Sequence, residues 1–131
     1  MEIAGKTRVL VVDDEHSIAN SLSWVLNKEG FETRAAYSGE EAVEAAESFR
    51  PNALICDVLM AGISGIETAM RIKDKIPSCK VLIISGHVST PDLATNGNGH
   101  KHQFDFLSKP VHPRVLIEKL HTLLGTPADS A

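Results

Sequence analysis

Several residues that could hold a metal ion or act as a nucleophile come directly after apolar stretches of this sequence. Asp13 and Asp14 follow the first of these stretches, and Asp57 and Ser85 each end another. Such stretches are typical of strands buried on both faces of a parallel sheet. Because ligands bind outside the carboxyl ends of the strands in open α/β sheets, we expect the three carboxylates and the hydroxyl to converge on one crevice.

The chemistry open to this set is metal-assisted transfer of a phosphoryl group. Mg²⁺ prefers hard oxygen ligands and usually binds one or two carboxylates together with phosphate oxygens. Asp13, Asp14 and Asp57 can supply such a site, and the cation would relieve their mutual repulsion. Asp57 could then stay ionised and attack a phosphoryl group, which gives an aspartyl phosphate. Lys109 would contribute a cation to the phosphoryl oxygens, and Ser85 a hydroxyl donor.

The elements that must position these residues alternate between strands and helices. The apolar patterns predict strands at residues 8–12, 31–36, 52–57, 81–84 and 104–107. They predict helices at residues 17–28, 39–49, 65–76 and 113–124. Two of these helices begin with capping boxes, Ser38 with Glu41 and Ser64 with Glu67. The alternation predicts an α/β fold, a doubly wound parallel sheet with right-handed crossovers.

The segment between the last two predicted strands is less regular. Thr90-Pro91 is typical of a helix start, but Asn96-Gly97-Asn98-Gly99 breaks the pattern within about two turns. We therefore expect a fourth helix that is short or irregular, followed by a mobile loop. Residues 1–6 are expected to form a polar lead, residues 7–125 one domain, and residues 126–131 a disordered tail.

Composition and charge narrow the class of protein. A chain of 131 residues with 43% apolar and 23% charged residues is typical of one soluble globular domain. The net charge of −4 argues against nucleic acid as a direct partner. Cys56 and Cys79 lie within or beside predicted buried strands, which favours reduced thiols over a disulfide framework. With no signal peptide or membrane-spanning stretch in view, we expect a cytoplasmic protein without membrane contact.

Taken together, the residues at the strand ends resemble the receiver domain of response regulators in two-component signalling. The resemblance covers about residues 7–124 and depends on the order of several positions: Asp13-Asp14, Asp57, Ser85 and Lys109-Pro110. It implies a flavodoxin-like, five-stranded sheet of order 2-1-3-4-5 with five helices. It also implies that Asp57 is the phosphoacceptor and Asp14 a direct ligand of Mg²⁺, with Asp13 binding through water or in support.

The resemblance implies further roles around this centre. The backbone carbonyl of Leu59 would complete the protein ligands of the metal. Ser85 and Lys109 would hold the phosphoryl group, and Phe106 would be the switch aromatic, which moves inward as Ser85 is drawn to the phosphate. The Lys109–Pro110 peptide bond is often cis in that family, whereas only about 5–6% of such bonds are cis in general.

The sequence departs from the family's usual pattern at several positions. Ala61 stands where the family commonly has proline, which should loosen that loop slightly without touching the chemistry. Gly86 replaces a usual alanine and keeps access for the phosphoryl group open. Leu59 and His87 occupy two variable positions that tune hydrolysis of the aspartyl phosphate in the family. An apolar Leu59 side chain cannot orient an attacking water, so we expect a long-lived phosphoryl group. His87 could either speed or slow that hydrolysis. Residues 96–99 fall in the fourth helix, on a face that many members use to dimerise or to hold an output partner.

Some of these residues also have a purely structural interpretation. Phe106 could be a fixed core aromatic that makes no switch motion. His100 and His102, with His87 nearby, could suggest zinc, but surface histidines without a cysteine or carboxylate frame are usually not ligands. Cys56 should point away from the crevice by strand alternation, which makes it a core residue and not a nucleophile.

The functional hypothesis is a phosphorylation-dependent signalling switch that catalyses only its own phosphotransfer and slow dephosphorylation. A sensor histidine kinase or a histidine phosphotransfer protein would be the donor, and an output partner protein, a fused effector domain or a second copy of the chain would bind the altered face. One alternative is a pseudo-receiver, an interaction module not regulated by phosphorylation. Another is an aspartyl phosphatase, which resembles an Asp-x-Asp arrangement with a lid domain; here Asp13 and Asp14 are adjacent and no lid is present.

Overall fold

The computed structural model of the protein describes residues 6–86 and 104–125. Its elements in chain order are β1 (Arg8–Val12), α1 (His16–Lys28), β2 (Glu32–Ala36), α2 (Gly39–Phe49), β3 (Ala53–Asp57), α3 (Gly65–Lys75), β4 (Lys80–Ser85), β5 (Asp105–Ser108) and α4 (Pro113–Leu124). The label α4 marks the helix that the sequence predicts as the fifth. Each predicted element lies within one residue of its observed bounds, which is the usual uncertainty of element ends.

The five strands form one parallel sheet in the order β2-β1-β3-β4-β5. Strand β1 is paired on both sides, because Val12 is aligned with Ala36 of β2 on one side and with Cys56 of β3 on the other. The chain therefore builds outwards from β1 in both directions, and the strand order reverses between β1 and β3. A crevice opens at the carboxyl ends of the strands at such a reversal. The flavodoxin-like order predicted from the resemblance is confirmed.

Two apolar cores lie on opposite faces of the sheet. Leu10 and Val12 pack with residues of α2 and α3 on one face. Val9 and Val11 pack with residues of α1 and α4 on the other face. Each fully buried aliphatic side chain contributes about 1.5–3 kcal/mol relative to an exposed one. The uninterrupted apolar run of β1 is thus explained by helices covering both of its faces.

The serines of both predicted capping boxes are N-caps of helices. The Ser38 hydroxyl accepts a hydrogen bond from the N–H of Glu41 at 3.0 Å, and the Ser64 hydroxyl accepts one from the N–H of Glu67 at 3.1 Å. The Glu41 carboxylate accepts the N–H of Tyr37 at 2.9 Å, one residue before the cap. The two bonds to the serine hydroxyls satisfy backbone donors that the first turn of a helix leaves free, and they set where α2 and α3 begin.

Some of the expectations lie outside the described residues. They are the short or irregular helix near Thr90, the break at residues 96–99, the histidines at positions 87, 100 and 102, the tail 126–131 and all but the last residue of the lead 1–6. Within the described ranges, none of the helices has the length and apolar character needed to cross a bilayer.

Candidate functional site

The predicted site residues lie together at the carboxyl edge of the sheet. Asp13 follows the last residue of β1, and Asp57 and Ser85 are the last residues of β3 and β4. Parallel pairing aligns Asp57 with Ile84, and it aligns Ser85 with Ser108, next to Lys109. Because the strands run in the same direction and in register, residues far apart in sequence end at the same edge.

Three carboxylates form the centre of the site. One oxygen from each of Asp13, Asp14 and Asp57 lies within 4.8 Å of the others, and no other group of this kind occurs in the described residues. Asp57 is 8% exposed and Asp13 is also buried, whereas Asp14 is exposed. Carboxylates rarely cluster in a buried place without a compensating cation.

Lys109 supplies one such cation. Its Nζ lies 3.2 Å from Oδ1 of Asp57 and 3.6 Å from Oδ2 of Asp13. The backbone places the side chain, because the N–H of Lys109 donates to the carbonyl of Ser85 at 2.9 Å. The following peptide bond to Pro110 is cis. Lys109 balances only one of the three carboxylate charges, so the site keeps an excess of negative charge.

Ionisation in the site reflects burial and these charges. Burial raises the pKa of Asp57, the charge of Lys109 opposes that rise, and the carboxylates of Asp13 and Asp14 add to it. Burial alone would lower the pKa of Lys109, but Asp57 and Asp13 together raise it. Lys109 therefore stays protonated at neutral pH, and the Asp57 carboxylate is left less stable than an ordinary one.

The Ser85 hydroxyl is the one site group without a hydrogen-bond partner among the described residues. Ser85 is 2% exposed, and its Oγ is buried with no donor or acceptor within reach in those residues. A buried hydroxyl without a partner costs free energy, commonly about 1–3 kcal/mol. A group with acceptor oxygens, such as a phosphoryl group, would remove that cost if it bound at this edge of the sheet.

The donor set fits a divalent cation such as Mg²⁺. The carboxylate oxygens are hard ligands, they lie close together, and Lys109 leaves an excess of two negative charges. The described contacts bring together Asp13, Asp14, Asp57 and Lys109. Leu59 lies two residues after Asp57 with its side chain exposed, and the role of its carbonyl stays a prediction.

The loop after β3 contacts the acidic cluster through the backbone of Ala61. The N–H of Ala61 donates to Oδ2 of Asp14 at 3.2 Å. A proline at this position would have no N–H to donate. The backbone of Ala61 therefore contacts a predicted metal ligand, and the expectation that this residue leaves the chemistry untouched stays a prediction.

Gly65 is a residue of the site that the sequence pattern did not indicate. A Cβ at this position would lie 2.0 Å from the carbonyl oxygen of Asp57 and 2.8 Å from the Cα of Val58. The N–H of Gly65 also donates to the carbonyl of Val58 at 2.9 Å. The start of α3 thus packs directly against the backbone that follows Asp57, and only glycine fits there. The available signal was a glycine immediately after a serine N-cap.

Phe106 and Cys56 both contact the core on the α2 and α3 face. Phe106 is half-buried in β5, where it is aligned with Ile83. Cys56 is fully buried in the same core, and burial, followed by the nearby carboxylates of Asp57 and Asp13, strongly raises the pKa of its thiol. The prediction that Cys56 is a core residue is confirmed, and a thiol with a raised pKa is a poor nucleophile.

Comparison with known proteins identifies the family that shares this arrangement. A family profile described as the response regulator receiver domain matches residues 9–121. The chain is 28% identical over 130 residues to the transcriptional regulatory protein TrcR of Mycobacterium tuberculosis, a match that covers 95% of this chain and 50% of TrcR. It is 28% identical over 121 residues to the DNA-binding response regulator MtrA of the same species, covering 91% of this chain and 51% of MtrA.

The structural comparison agrees with the sequence comparison. The crystal structure of a CheY-like response regulator receiver domain protein from Methanospirillum hungatei superposes with a TM-score of 0.84 at 26% identity, covering 92% of this chain and 95% of that one. The chain spans about half the length of the curated relatives that it matches. With a family match over most of its length and the strand order of that fold, this chain belongs to the response regulator receiver domain family.

Proposed function

We propose that this chain is a signalling switch in which Asp57 accepts a phosphoryl group from a phosphohistidine. The donor would be a sensor histidine kinase or a histidine phosphotransfer protein. The observation that carries the proposal is the placement of Asp57, a buried carboxylate 3.2 Å from the Lys109 ammonium and clustered with two further carboxylates. Perturbed ionisable groups gathered at one edge of a sheet are typical of functional sites.

The proposed transfer is a displacement at phosphorus. A carboxylate oxygen of Asp57 forms the new P–O bond, while the P–N bond of the phosphohistidine breaks and its electron pair stays on the imidazole nitrogen. Lys109 offsets the charge of the arriving phosphoryl oxygens, and Ser85 donates its free hydroxyl to one of them. Mg²⁺ held by Asp13, Asp14, Asp57 and the carbonyl of Leu59 would neutralise further charge on those oxygens.

The test is the intact mass of the protein after incubation with acetyl phosphate and Mg²⁺. We expect one phosphoryl adduct in the wild type, none in Asp57→Asn, and none when EDTA replaces Mg²⁺. A wild type that binds Mg²⁺ but forms no adduct would favour a pseudo-receiver. Turnover of generic phosphomonoesters would instead favour the phosphatase class.

A long phosphoryl lifetime is the finer part of the proposal. The Leu59 side chain is 54% exposed and apolar, so it offers no acceptor that could orient an attacking water. Leu59→Asn introduces an amide at that place, and we expect it to shorten the half-life of the adduct several-fold. An unchanged half-life would show that the Leu59 side chain does not slow hydrolysis of the adduct.

In the proposed switch, the binding of Ser85 to the phosphoryl group is coupled to an inward movement of the Phe106 side chain. The Ser85 hydroxyl is unpartnered in the described residues, and Phe106 on the neighbouring strand is only half-buried. With 4-fluorophenylalanine in the protein, we expect the ¹⁹F signal of Phe106 to shift when beryllofluoride and Mg²⁺ are added, and to shift less in Ser85→Ala. A signal that stays in place would make Phe106 a fixed core aromatic.

Output is proposed to pass through a partner protein or an effector domain outside these residues. The relatives TrcR and MtrA are named as a transcriptional and a DNA-binding regulator, and the chain matches about half of each. Its net charge of −4 favours a role other than direct DNA contact for these residues. The fluorescence anisotropy of labelled duplex DNA should therefore not change when this chain is added.

A homodimer is the other proposed output complex. Sedimentation of the chain with and without beryllofluoride tests whether it forms.

A further inference from the structure

The loop between β3 and α3, residues 58–64, is held at two points by carboxylates from other parts of the chain. Oδ2 of Asp14 accepts the N–H of Ala61 at 3.2 Å. Oε2 of Glu40 accepts the N–H of Ile63, also at 3.2 Å. Both anchors precede the loop in sequence, one from the turn after β1 and the other from the first turn of α2.

Glu40 lies directly against the turn of this loop. Gly62 has a φ of +80°, and a Cβ there would lie 2.8 and 2.9 Å from the two carboxylate oxygens of Glu40. A glycine at this position allows both the left-handed conformation and the close carboxylate. The carboxylate therefore contacts the loop at Gly62 as well as at Ile63.

The residue before Glu40 holds the start of α2 against the same loop. A Cβ on Gly39 would lie 2.1 Å from Oγ1 of Thr68 and 2.5 Å from Cγ1 of Ile63. Thr68 is fully buried, and its hydroxyl donates to the carbonyl of Ser64 at 2.8 Å. Glu40 thus reaches the loop from a close-packed helix start, which is the kind of support that can fix a backbone position.

The two anchors differ in their relation to the acidic cluster. Asp14 belongs to the cluster, so a cation bound there would draw on the same carboxylate that accepts the N–H of Ala61. Glu40 is not among the clustered carboxylates and stays available to Ile63 when the site is filled. We propose that Glu40 is a positioning residue of the metal site, which keeps the loop after Asp57 placed for the Leu59 carbonyl to reach the cation.

This inference rests on the proposed function, and its test separates hydrogen bonding from charge. Glu40→Ala removes the acceptor and the charge, Glu40→Gln keeps an acceptor oxygen without the charge, and Glu44→Ala removes an exposed charge from the same helix. Calorimetry gives the dissociation constant for Mg²⁺. Amide hydrogen exchange gives the protection of the Ile63 N–H in the metal-free protein.

We expect Glu40→Ala to weaken Mg²⁺ binding about fivefold, the equivalent of one ordinary hydrogen bond, and to speed exchange at Ile63. Glu40→Gln should restore both measurements to within about twofold of the wild type, because the amide oxygen still accepts. Glu44→Ala should change neither.

Each other outcome overturns the inference. Equal weakening in Glu40→Ala and Glu40→Gln would make the effect one of long-range charge. Wild-type Mg²⁺ affinity in Glu40→Ala would show that the loop needs no second anchor. A wild type that binds no Mg²⁺ would instead refute the proposed function, and this first measurement distinguishes the two failures.

Discussion

Replacing Asp57 with asparagine should stabilise the metal-free protein, although the change removes the proposed nucleophile. Asp57 is 8% exposed, and its carboxylate shares a small volume with those of Asp13 and Asp14. Asparagine has nearly the same size and shape, so the packing at the end of β3 is retained. The substitution therefore removes a buried charge and little else.

The size of the effect follows from the distances in the site. The carboxylate oxygens lie no more than 4.8 Å apart, and two unit charges at that distance repel by about 3.5 kcal/mol at an effective dielectric constant of about 20. Before screening, Asp13 and Asp14 together therefore oppose Asp57 by at least about 7 kcal/mol. On the same scale, the Lys109 ammonium at 3.2 Å attracts Asp57 by about 5 kcal/mol. After screening of the exposed Asp14, we expect a net gain for Asp57→Asn of about 1–2 kcal/mol in the free energy of unfolding.

The sign of the pH dependence is also set by the site. Burial raises the pKa of Asp57 above its ordinary value of 3.8, an effect that Lys109 opposes and Asp13 reinforces. Folding therefore favours the protonated carboxyl. The stability that this group contributes is present below pH 3.8 and is lost as the pH rises through the raised pKa. The advantage of Asp57→Asn should be full at neutral pH and disappear in acid.

Urea unfolding in EDTA, at neutral and acidic pH, measures the effect directly. Glu44→Gln is the control, because it removes one exposed charge and should change the unfolding free energy little. Added Mg²⁺ should stabilise the wild type by mass action more than it stabilises Asp57→Asn, so the difference between their free energies of unfolding should become smaller. An Asp57→Asn protein less stable than the wild type in EDTA at neutral pH, or a gap that does not depend on pH, would refute this account of the site.

Three further predictions test other contacts. Gly65→Ala should lower the free energy of unfolding by more than about 2 kcal/mol, because the new Cβ meets the Asp57 carbonyl at 2.0 Å. Gly86→Ala should be nearly neutral in the same urea titration, because among the described residues its Cβ meets the Lys109 side chain at an ordinary 3.8 Å. Lys109→Met should slow adduct formation from acetyl phosphate at least about tenfold while Mg²⁺ still binds, and an unchanged rate would remove Lys109 from the transfer step. Burial raises the pKa of the Cys79 thiol from its ordinary 9.0 to about 11. The stability that this group contributes should therefore be lost as the pH rises from 9.0 to about 11. In urea unfolding over that pH range, the free energy of unfolding should fall less steeply with pH in Cys79→Ala than in the wild type.

Much of the fold could be predicted because its signals are local. The apolar run of β1 and the Ser38 and Ser64 caps each depend on neighbouring residues, and the structure has them where the sequence predicts. The convergence of Asp13, Asp57 and Ser85 was also predictable, since residues at the carboxyl ends of parallel strands must share one edge. The strand order itself was expected from the family resemblance and not from the pattern of apolar residues.

Other features of the site depend on distances that no local pattern encodes. The Ala61 N–H reaches Asp14 across 47 residues of sequence, and the Ile63 N–H reaches Glu40 across 23. The approach of Gly65 to the Asp57 carbonyl likewise depends on how closely α3 packs on the end of β3. The sequence by itself determined which chemical groups end the strands, because apolar periodicity and caps act between neighbours. Only the tertiary structure decided which backbone groups those side chains hold, because the packing of helices on the sheet sets those distances.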